Sequence, residues 1–223
     1  MKVFQLVEGR HDHHHNQVGQ TVLPDHTGAV TLLYSAEAKI LIDVGSRAAW
    51  PEVLRALGNR GLTPDDIDVV LLTHLHLDHS FNIAHFNRAQ VVAWAHDWTK
   101  HETIELVPDL NRRQALTISD NINAIPSSGH DECMNSFFIT GGSSLQLVTG
   151  ENINLGNKTL CVSGDAINQA VIDSGGQILP FTYNSQEYLE GVKAILKQDP
   201  DYILPGHGPL IYRPEDGWPK LTC

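Results

Sequence analysis

Short apolar runs bounded by turn residues recur along the chain, and they predict a fold rich in β-strands. Runs of this length, with many β-branched residues and with Gly, Pro, Asn or Asp at their ends, are typical of strands. The predicted strands cover residues 2–7, 21–23, 29–34, 39–45, 67–72, 90–95, 117–125, 135–140, 144–148, 158–163 and 202–204. No apolar run approaches the ~20 residues that cross a bilayer, so no membrane segment is predicted.

Positions with helical spacing are fewer, and they fall between the strands. The predicted helices cover residues 48–61, 80–87 and 185–198. The last is the clearest, because Tyr188, Val192 and Ile195 repeat at the spacing of one helix face. Residues 97–113 show no single period and are interpreted as a loop with some helix. Since no repeat or break in composition divides the chain, we expect one domain, residues 1–223, of mixed α and β structure.

The composition is typical of a globular protein and disfavours a nucleic-acid-binding surface. Of the 223 residues, 41% are hydrophobic and 18% charged, and the formal net charge is -11. Such an acidic chain repels polyanions. The cysteines, Cys133, Cys161 and Cys223, are odd in number and form no Cys-x-x-Cys pair, so a reducing cytoplasm is the expected location. Cys161 lies in a predicted strand and is expected to be a buried thiol.

One stretch concentrates side chains that can bind metal ions. His74, His76, Asp78 and His79 follow directly on the predicted buried strand 67–72. Side chains alternate along an extended segment, so His74, His76 and Asp78 are expected on one face. His79 breaks the alternation and would face a second, adjacent point. One strand end would then present ligands to two neighbouring cations, and imidazole and carboxylate suit zinc, manganese or iron.

The same alternation makes a prediction for the residues between these side chains. Leu75 and Leu77 are expected to point the opposite way, into apolar packing. The competing interpretation of the whole stretch is a cluster of buried, hydrogen-bonded histidines without a metal. We disfavour it because burying four ionisable groups without a cation is costly.

Three later positions repeat one local arrangement, in which a strand runs into glycine and a potential ligand. They are His130, Asp165 and His207, within Ser-Gly-His, Ser-Gly-Asp and Pro-Gly-His-Gly. Glycine lets the backbone turn sharply beside a crowded centre. Taken singly, each is more often a hydrogen-bonded polar residue than a ligand. Their weight therefore comes from their combination with the 74–79 stretch.

The His-x-His-x-Asp-His string, followed by a histidine, Gly-Asp and Pro-Gly-His-Gly, resembles the metallo-β-lactamase-fold superfamily of metallohydrolases. The resemblance covers most of the chain and suggests its small single-domain type. It implies an α/β (α+β) fold, a four-layer αβ/βα sandwich of two mixed β-sheets flanked by helices. The early Asp43-Val-Gly45 is similar to a strand-ending Asp-x-Gly that in this family supports the metal ligands.

The resemblance also implies a role for each candidate ligand, and all seven positions match. The first metal would be bound by His74, His76 and His130, the second by Asp78, His79 and His207, and both by Asp165. Cofactors are expected to be two divalent ions, zinc first, with manganese or iron left open. Many true β-lactamases of this fold have cysteine where Asp165 stands, so a dedicated resistance enzyme is disfavoured.

The expected activity is hydrolysis by a metal-bridging hydroxide, because bound metals lower the pKa of water to about 7. Asp78 is the expected catalytic residue that orients the nucleophile and moves its proton. A small-molecule carbonyl substrate is favoured: a lactone, thioester or β-lactam-like amide. A phosphodiesterase or ribonuclease on the same site, acting on RNA or a nucleotide, is the alternative. An iron-dependent dioxygenase and a non-enzymatic metal-binding module are less favoured, and a homodimer is left open.

Several other polar residues have possible roles. The histidine-rich stretch His11–His15 could form a flap over the site, or a solvated loop that chelates metal adventitiously. If it is a flap, replacing His13–His15 with alanine would change substrate affinity more than metal content. Tyr183 and Tyr212 could protonate a leaving group, although packing is favoured for both. The remaining candidates, expected to be ordinary polar residues or too small a basic patch, are His85, His96, His101, Arg112 and Arg113.

Overall fold

A computed structural model describes residues 1–93, 96–98, 103–105, 116–177, 179–180 and 182–221. The strands are β1 (Lys2–Val7), β2 (His14–His15), β3 (Thr21–Val22), β4 (Val30–Tyr34), β5 (Lys39–Ile42), β6 (Val69–Leu72), β7 (Gln90–Ala93), β8 (His96–Trp98), β9 (Thr103–Glu105), β10 (Leu116–Ser119), β11 (Ile122–Pro126), β12 (Asn135–Ile139), β13 (Ser144–Gln146), β14 (Asn152–Asn154), β15 (Leu160–Gly164), β16 (Tyr202–Pro205) and β17 (Ile211–Tyr212). The α-helices are α1 (Trp50–Gly58), α2 (Leu77–Ser80), α3 (Gln169–Asp173) and α4 (Ser185–Lys197), with 3₁₀ turns at Pro64–Asp66 and Phe81–His85.

Two mixed sheets contain most of the strands. The large sheet has the order β14-β13-β1-β4-β5-β6-β7-β8-β9, and the small sheet has the order β10-β11-β12-β15-β16-β17. In the large sheet β5, β6 and β7 are parallel, and in the small sheet β15 and β16 are parallel. Strands that run parallel end at the same edge of their sheet, and this edge is where such sheets place their sites.

The core between the sheets shows that they pack face to face. Its fully buried side chains include Leu33 and Leu71 from the large sheet and Ile139, Leu160 and Leu204 from the small sheet. Each sheet therefore hides one face against the other, which removes apolar surface from water at about 25 cal/mol per Å².

The outer face of each sheet is covered by helices. On the large sheet, Val53 and Leu57 of α1 lie in one buried cluster with side chains of β4, β5 and β6. On the small sheet, Val171 of α3 and Tyr188 and Val192 of α4 pack in another. The order helix, sheet, sheet, helix confirms the four-layer αβ/βα sandwich. The division of the chain into domains stays a prediction.

The structure corrects several local predictions. Residues 117–125 are two antiparallel strands, β10 and β11, because the turn at Asp120 and Asn121 interrupts the run. The helix α3 and the strand β14 were not predicted, since both are too short to show a period. Between 97 and 113 the described residues form strands, where loop and helix were expected, and His101, Arg112 and Arg113 lie outside the described residues, as does Cys223. No helix in the described part of the chain has the length and apolarity that crossing a bilayer requires.

Candidate metal centre

The candidate ligands lie where strands of both sheets end. His74 and His76 follow β6, and His130 follows β11. Asp165 follows β15 directly, and His207 follows β16. The structure thus brings together all seven predicted residues, from the large sheet on one side and the small sheet on the other.

The geometry around His76 differs from the prediction. The strand β6 ends at Leu72, and α2 begins at Leu77, so residues 74–76 form a loop and strand alternation does not apply. Leu75 and Leu77, expected in apolar packing, are instead 52% and 68% exposed. The turn from loop to helix, not the pleat of a strand, therefore separates the two sets of side chains.

Three histidines form the first group. His76 Nδ1 lies 3.1 Å from His74 Nε2 and 3.1 Å from His130 Nε2. His74 is buried, and its Nδ1 lies 3.0 Å from the hydroxyl of Thr73. Tetrahedral zinc bonds of 2.0–2.1 Å place two nitrogen ligands about 3.3 Å apart. The spacing of these three nitrogens therefore fits one cation between them.

Two carboxylates and two histidines form the second group. Asp78 Oδ2 lies 3.3 Å from His79 Nε2 and 3.2 Å from His207 Nε2. Asp165 Oδ1 lies 3.2 Å from His79 Nε2, and Asp165 Oδ2 lies 3.3 Å from His207 Nε2. Four donors of this type match the coordination number that zinc prefers in proteins.

Asp165 connects the two groups. Its Oδ2 lies 3.2 Å from His130 Nε2 of the first group, while the same carboxylate contacts His79 and His207 of the second. Asp165 is therefore the carboxylate that could contact a cation held by either group. This is the geometry that a bridging ligand requires.

Unsatisfied buried atoms show that the residues fit metal ions. His79 Nε2 and Asp165 Oδ1 are inaccessible to water and lie 3.2 Å from each other, but within the described ranges neither has a partner in good hydrogen-bond geometry. Buried polar atoms in native proteins almost always have a partner, and a bound metal ion is one recognised partner. A cation bound between these two atoms would satisfy both.

Asp43 holds the segment from Thr73 to His79 in place through both oxygens of its carboxylate. One oxygen accepts the backbone N–H of Thr73 at 2.8 Å, and the other accepts the Thr73 hydroxyl and lies 2.8 Å from His79 Nδ1. Such a carboxylate fixes the tautomer of the histidine and leaves Nε2 free for a metal. Asp43 has φ 57°, a strained conformation for a non-glycine residue that is retained at functional sites.

Gly206 is required by close packing. A Cβ at this position would overlap Asp165 Oδ1 and approach the ring of His79. Its carbonyl also accepts the backbone N–H of Ala29 at 2.8 Å. The glycine of Pro-Gly-His-Gly therefore lets the backbone pass directly behind the second group.

Burial and neighbouring charges lower the pKa of His74 in the first group and, in the second, raise the pKa of His207 and lower that of Asp165. Burial lowers the pKa of His74, and the nearby His79 lowers it further. For His207, burial lowers the pKa, but the hydrogen bonds to Asp165 and Asp78 outweigh it and raise the pKa to about 9. Burial would raise the pKa of Asp165, yet the adjacent His79 and His207 hold it well below its usual range.

These shifts predict that the two groups take up zinc with different pH dependence. Near neutral pH His74 is already unprotonated, whereas His207 must lose a proton before it can bind a metal. Burial lowers the pKa of His79, but Asp165 and Asp43 outweigh burial and raise it well above its usual value, so His79 must lose a proton as well. We expect the affinity of the second zinc equivalent to rise by up to about a hundredfold per unit above pH 7, the slope for two released protons. Chelator competition on metal-free protein measures both equivalents. Equal slopes for both equivalents would contradict the assignment, and His207→Gln should flatten the steeper one.

Two histidines that the sequence did not assign to the metals also border the second group. His26 Nε2 lies 3.2 Å from Asp78 Oδ2, and the His26 ring stacks on His207 at 4.9 Å. The ring of His11 lies 4.6 Å from that of His26. Only the histidine-rich stretch gave a signal for His11, and nothing singled out His26 in its turn.

The other predicted candidates lie elsewhere. Tyr212 donates to Glu151 at 3.2 Å and pairs with Tyr202, which begins the strand whose opposite end leads to His207. Tyr183 is 68% exposed. His85 stacks on Trp50 at 4.1 Å, as expected for an ordinary polar residue. Cys161 is buried, which confirms the prediction, and burial raises the pKa of its thiol.

Comparison with known proteins finds relatives along most of the chain. A family model described as "Metallo-beta-lactamase superfamily" matches residues 23–207. "Metallo-beta-lactamase domain-containing protein 1" of Mus musculus is 29% identical over 182 residues, 81% of this chain and 64% of the relative. The Homo sapiens protein of that name is 27% identical over 175 residues, 78% of this chain and 60% of the relative. The matches thus span less than two-thirds of either relative.

Solved structures share the fold. A candidate metallo-β-lactamase from Thermotoga maritima has a TM-score of 0.63 at 18% identity, covering 95% of this chain and 98% of its own. A quorum-quenching N-acyl homoserine lactone hydrolase has a TM-score of 0.57 at 19% identity, with 81% and 79% covered. BJP-1, a subclass B3 metallo-β-lactamase of Bradyrhizobium japonicum, has a TM-score of 0.54 at 17% identity, with 93% and 78% covered.

Proposed function

The chain belongs to the metallo-β-lactamase superfamily of hydrolases, and we propose that it binds two divalent metal ions and hydrolyses a carbonyl substrate such as a lactone, a thioester or a β-lactam-like amide. The observation that carries the proposal is the position of Asp165, which lies within 3.3 Å of histidines from both groups. Zinc is the proposed metal, because imidazole and carboxylate ligands suit it, and manganese or iron would fit the same donors.

Seven residues would bind the metals, and one of them, Asp78, would also orient the attacking water. When bound, the metals supply an activated water and polarise the electrophile. His74, His76 and His130 would hold one ion, Asp78, His79 and His207 the other, and Asp165 both. Burial would raise the pKa of Asp78, but the imidazoles of His207 and His79, at 3.2 and 3.3 Å from Oδ2, lower it well below its usual range. Asp78 is therefore suited to orient the attacking water and pass its proton on, rather than to retain it.

Acidic residues next to site histidines in the chain favour a carbonyl substrate over a nucleic acid. Asp25 and Glu132 are exposed and Asp131 is half-buried, and each lies within two residues of a site histidine. The chain as a whole carries a net charge of -11. A phosphodiester backbone would add negative charge beside these carboxylates, whereas a neutral ester, thioester or lactone would not.

Apolar side chains beside the ligands favour a substrate with an acyl chain. Leu75, Leu77 and Phe81 are 52%, 68% and 45% exposed, and they alternate with or follow the ligand residues of the loop. Exposed apolar side chains that adjoin ligand residues in the chain are candidates for contact with a substrate. We name these three residues the apolar lip.

A substrate panel tests the proposal. Purified, zinc-loaded protein is assayed on acyl lactones of short and long chain, a thioester, a β-lactam, bis-p-nitrophenyl phosphate and single-stranded RNA. We expect carbonyl turnover, with long acyl chains preferred. Strong RNA cleavage without carbonyl turnover would instead make the protein a nuclease.

The apolar lip gives the panel an internal control. Leu77→Ser should lower kcat/KM for the long-chain lactone about tenfold, the effect of losing ~1.5 kcal/mol of leucine burial, and leave the short-chain lactone unchanged. Val148→Ser is the matched control, since Val148 is 45% exposed and follows β13, four strands away from β6. Equal loss on both chain lengths would show that the lip does not contact the acyl group.

A further inference from the structure

A polar pocket lies beside α1, apart from the metal centre. It is bordered by Gln5 and Leu6 of β1, by one side of α1 with the residues that follow it, and by the turn between β13 and β14. Its volume is about 300 Å³, which suits a small organic molecule. None of the seven candidate metal ligands is among the described residues that line it, so the pocket is distinct from the metal centre.

Gln5 places an unpaired amide donor in the wall of this pocket. Gln5 is 3% exposed, and its Oε1 accepts the backbone N–H of Val148 at 3.3 Å. Because a backbone N–H can only donate, that bond fixes the orientation of the amide group. Gln5 Nε2 is then a buried donor, and within the described ranges it has no acceptor. Buried donors almost always have a partner, so a ligand with an acceptor atom is expected here.

Arg60 supplies a second unpaired donor, and this one carries a positive charge. Its Nη1 donates to the carbonyl of Ala56 at 2.8 Å, and its Nη2 donates to Gln146 Oε1 at 3.1 Å. The guanidinium carbon lies 4.4 Å from the centre of the Phe4 ring. These contacts hold the guanidinium group in one position, while its Nε is buried and unpaired among the described residues. A guanidinium group can only donate, so the missing partner is again an acceptor.

The charges around the pocket leave an excess of positive charge. Glu52 is the acidic residue among those that line it, and its Oε2 accepts from Arg10 Nη2 at 3.0 Å. Arg10 does not line the pocket, so it neutralises that carboxylate from outside. The guanidinium groups of Arg55 and Arg60 then remain at the pocket, although the whole chain carries a net charge of -11. A local field of this sign attracts small anions.

We propose that this pocket binds a small organic anion, whose carboxylate or phosphate oxygens pair with Arg55 and Arg60 and accept a hydrogen bond from the Gln5 amide. Guanidinium groups form their strongest hydrogen bonds with these two kinds of anion. Leu6 and Leu147 provide an apolar wall for the carbon atoms of the ligand. Gln5 Nε2 and Arg60 Nε lie below the accessible surface, so the ligand reaches them by displacing exposed side chains of the wall, Arg55 among them.

Calorimetric titration with small anions tests this proposal without any assay of activity. Zinc-loaded protein, freed of excess zinc, is titrated with succinate, glycerol phosphate and inorganic phosphate, and succinamide is the neutral counterpart of succinate. We expect one equivalent of an anion to bind and succinamide not to bind. Preference for succinate would identify a carboxylate ligand, and preference for the phosphate compounds a phosphate ligand. If no anion binds, or if succinamide binds as well as succinate, the proposal is wrong.

Variants of the wall distinguish this pocket from the metal centre, which could also bind anions. Arg55→Ala and Gln5→Glu should each weaken anion binding about tenfold or more, the effect of losing one charged hydrogen bond. Gln5→Glu keeps an acceptor for the Val148 N–H, and metal analysis checks that both variants retain their zinc. Arg47→Ala is the matched control, because Arg47 is exposed and does not line the pocket. Wild-type affinity in Arg55→Ala and Gln5→Glu, or an equal loss in Arg47→Ala, would overturn the proposal.

Discussion

Replacing Asp165 with alanine is expected to abolish hydrolysis and to reduce tightly bound zinc from two ions to about one per chain. Asp165 contacts His130 of the first group and His79 and His207 of the second, so its loss removes a ligand from both positions. Activity on every substrate of the panel should fall by ~10³-fold or more, at least the effect of removing one preorganised electrostatic group. Metal analysis and steady-state kinetics on the same preparations measure both effects.

Two variants separate this effect from unfolding. Asp165→Asn keeps the shape of the side chain but removes the charge, so it should fold well and still lose activity. Asp173→Ala is the control, because Asp173 is exposed on α3 and bonds only to Gln169 among the contacts that the structure shows. Wild-type zinc content in Asp165→Ala would mean that the carboxylate does not bridge the two groups.

Replacing Asp43 with alanine should weaken zinc binding and destabilise the fold, although Asp43 touches neither proposed metal. The change leaves the Thr73 amide, the Thr73 hydroxyl and the buried His79 Nδ1 without their acceptor. Removing a partner of this kind costs roughly 10–100-fold in metal affinity, and breaking a buried charged pair costs about 3–5 kcal/mol. Chelator competition and urea unfolding of the metal-free protein measure the two losses.

Asp43→Asn tests which property of the side chain matters. Asparagine tolerates the positive φ at this position and can still accept from Thr73, but it no longer places a negative charge beside His79. We expect stability closer to wild type and zinc affinity closer to Asp43→Ala. If both variants bind zinc as the wild type does, the carboxylate serves the fold alone. Asp68→Asn is a matched control, since Asp68 also caps a strand through a backbone N–H but does so at the exposed start of β5.

The sequence predicted the site better than it predicted the local geometry of the site. The seven side chains that lie together were predicted from residue types, their order and the family resemblance, because His130, Asp165 and His207 carry little weight singly. The alternation rule failed at Leu75 and Leu77, since it assumed that β6 continued through residue 77. The leucines lie at the surface because the chain leaves the sheet at Leu72 and enters a helix.

Contacts between distant parts of the chain could not be predicted from any local sequence pattern. His26 approaches Asp78 because Thr27 pairs with Arg10 and because Gly28 donates its N–H to the carbonyl of Asp78 at 2.9 Å. None of these pairings has a period or a spacing that a single sequence can display. The hairpin of β10 and β11 was predicted as one strand for a local reason, because the turn at Asp120 and Asn121 was not recognised.

The origin of the ligands has a mechanical consequence. His74, His76, Asp78 and His79 come from the end of the large sheet, whereas His130, Asp165 and His207 come from the end of the small sheet. Bound cations would act as cross-links at one rim of the sandwich, and ligands that bind only the folded chain stabilise it by mass action. Removing the ions would therefore let the two sheets separate first at the end that carries the ligands, while the apolar core between the sheets holds the opposite end together.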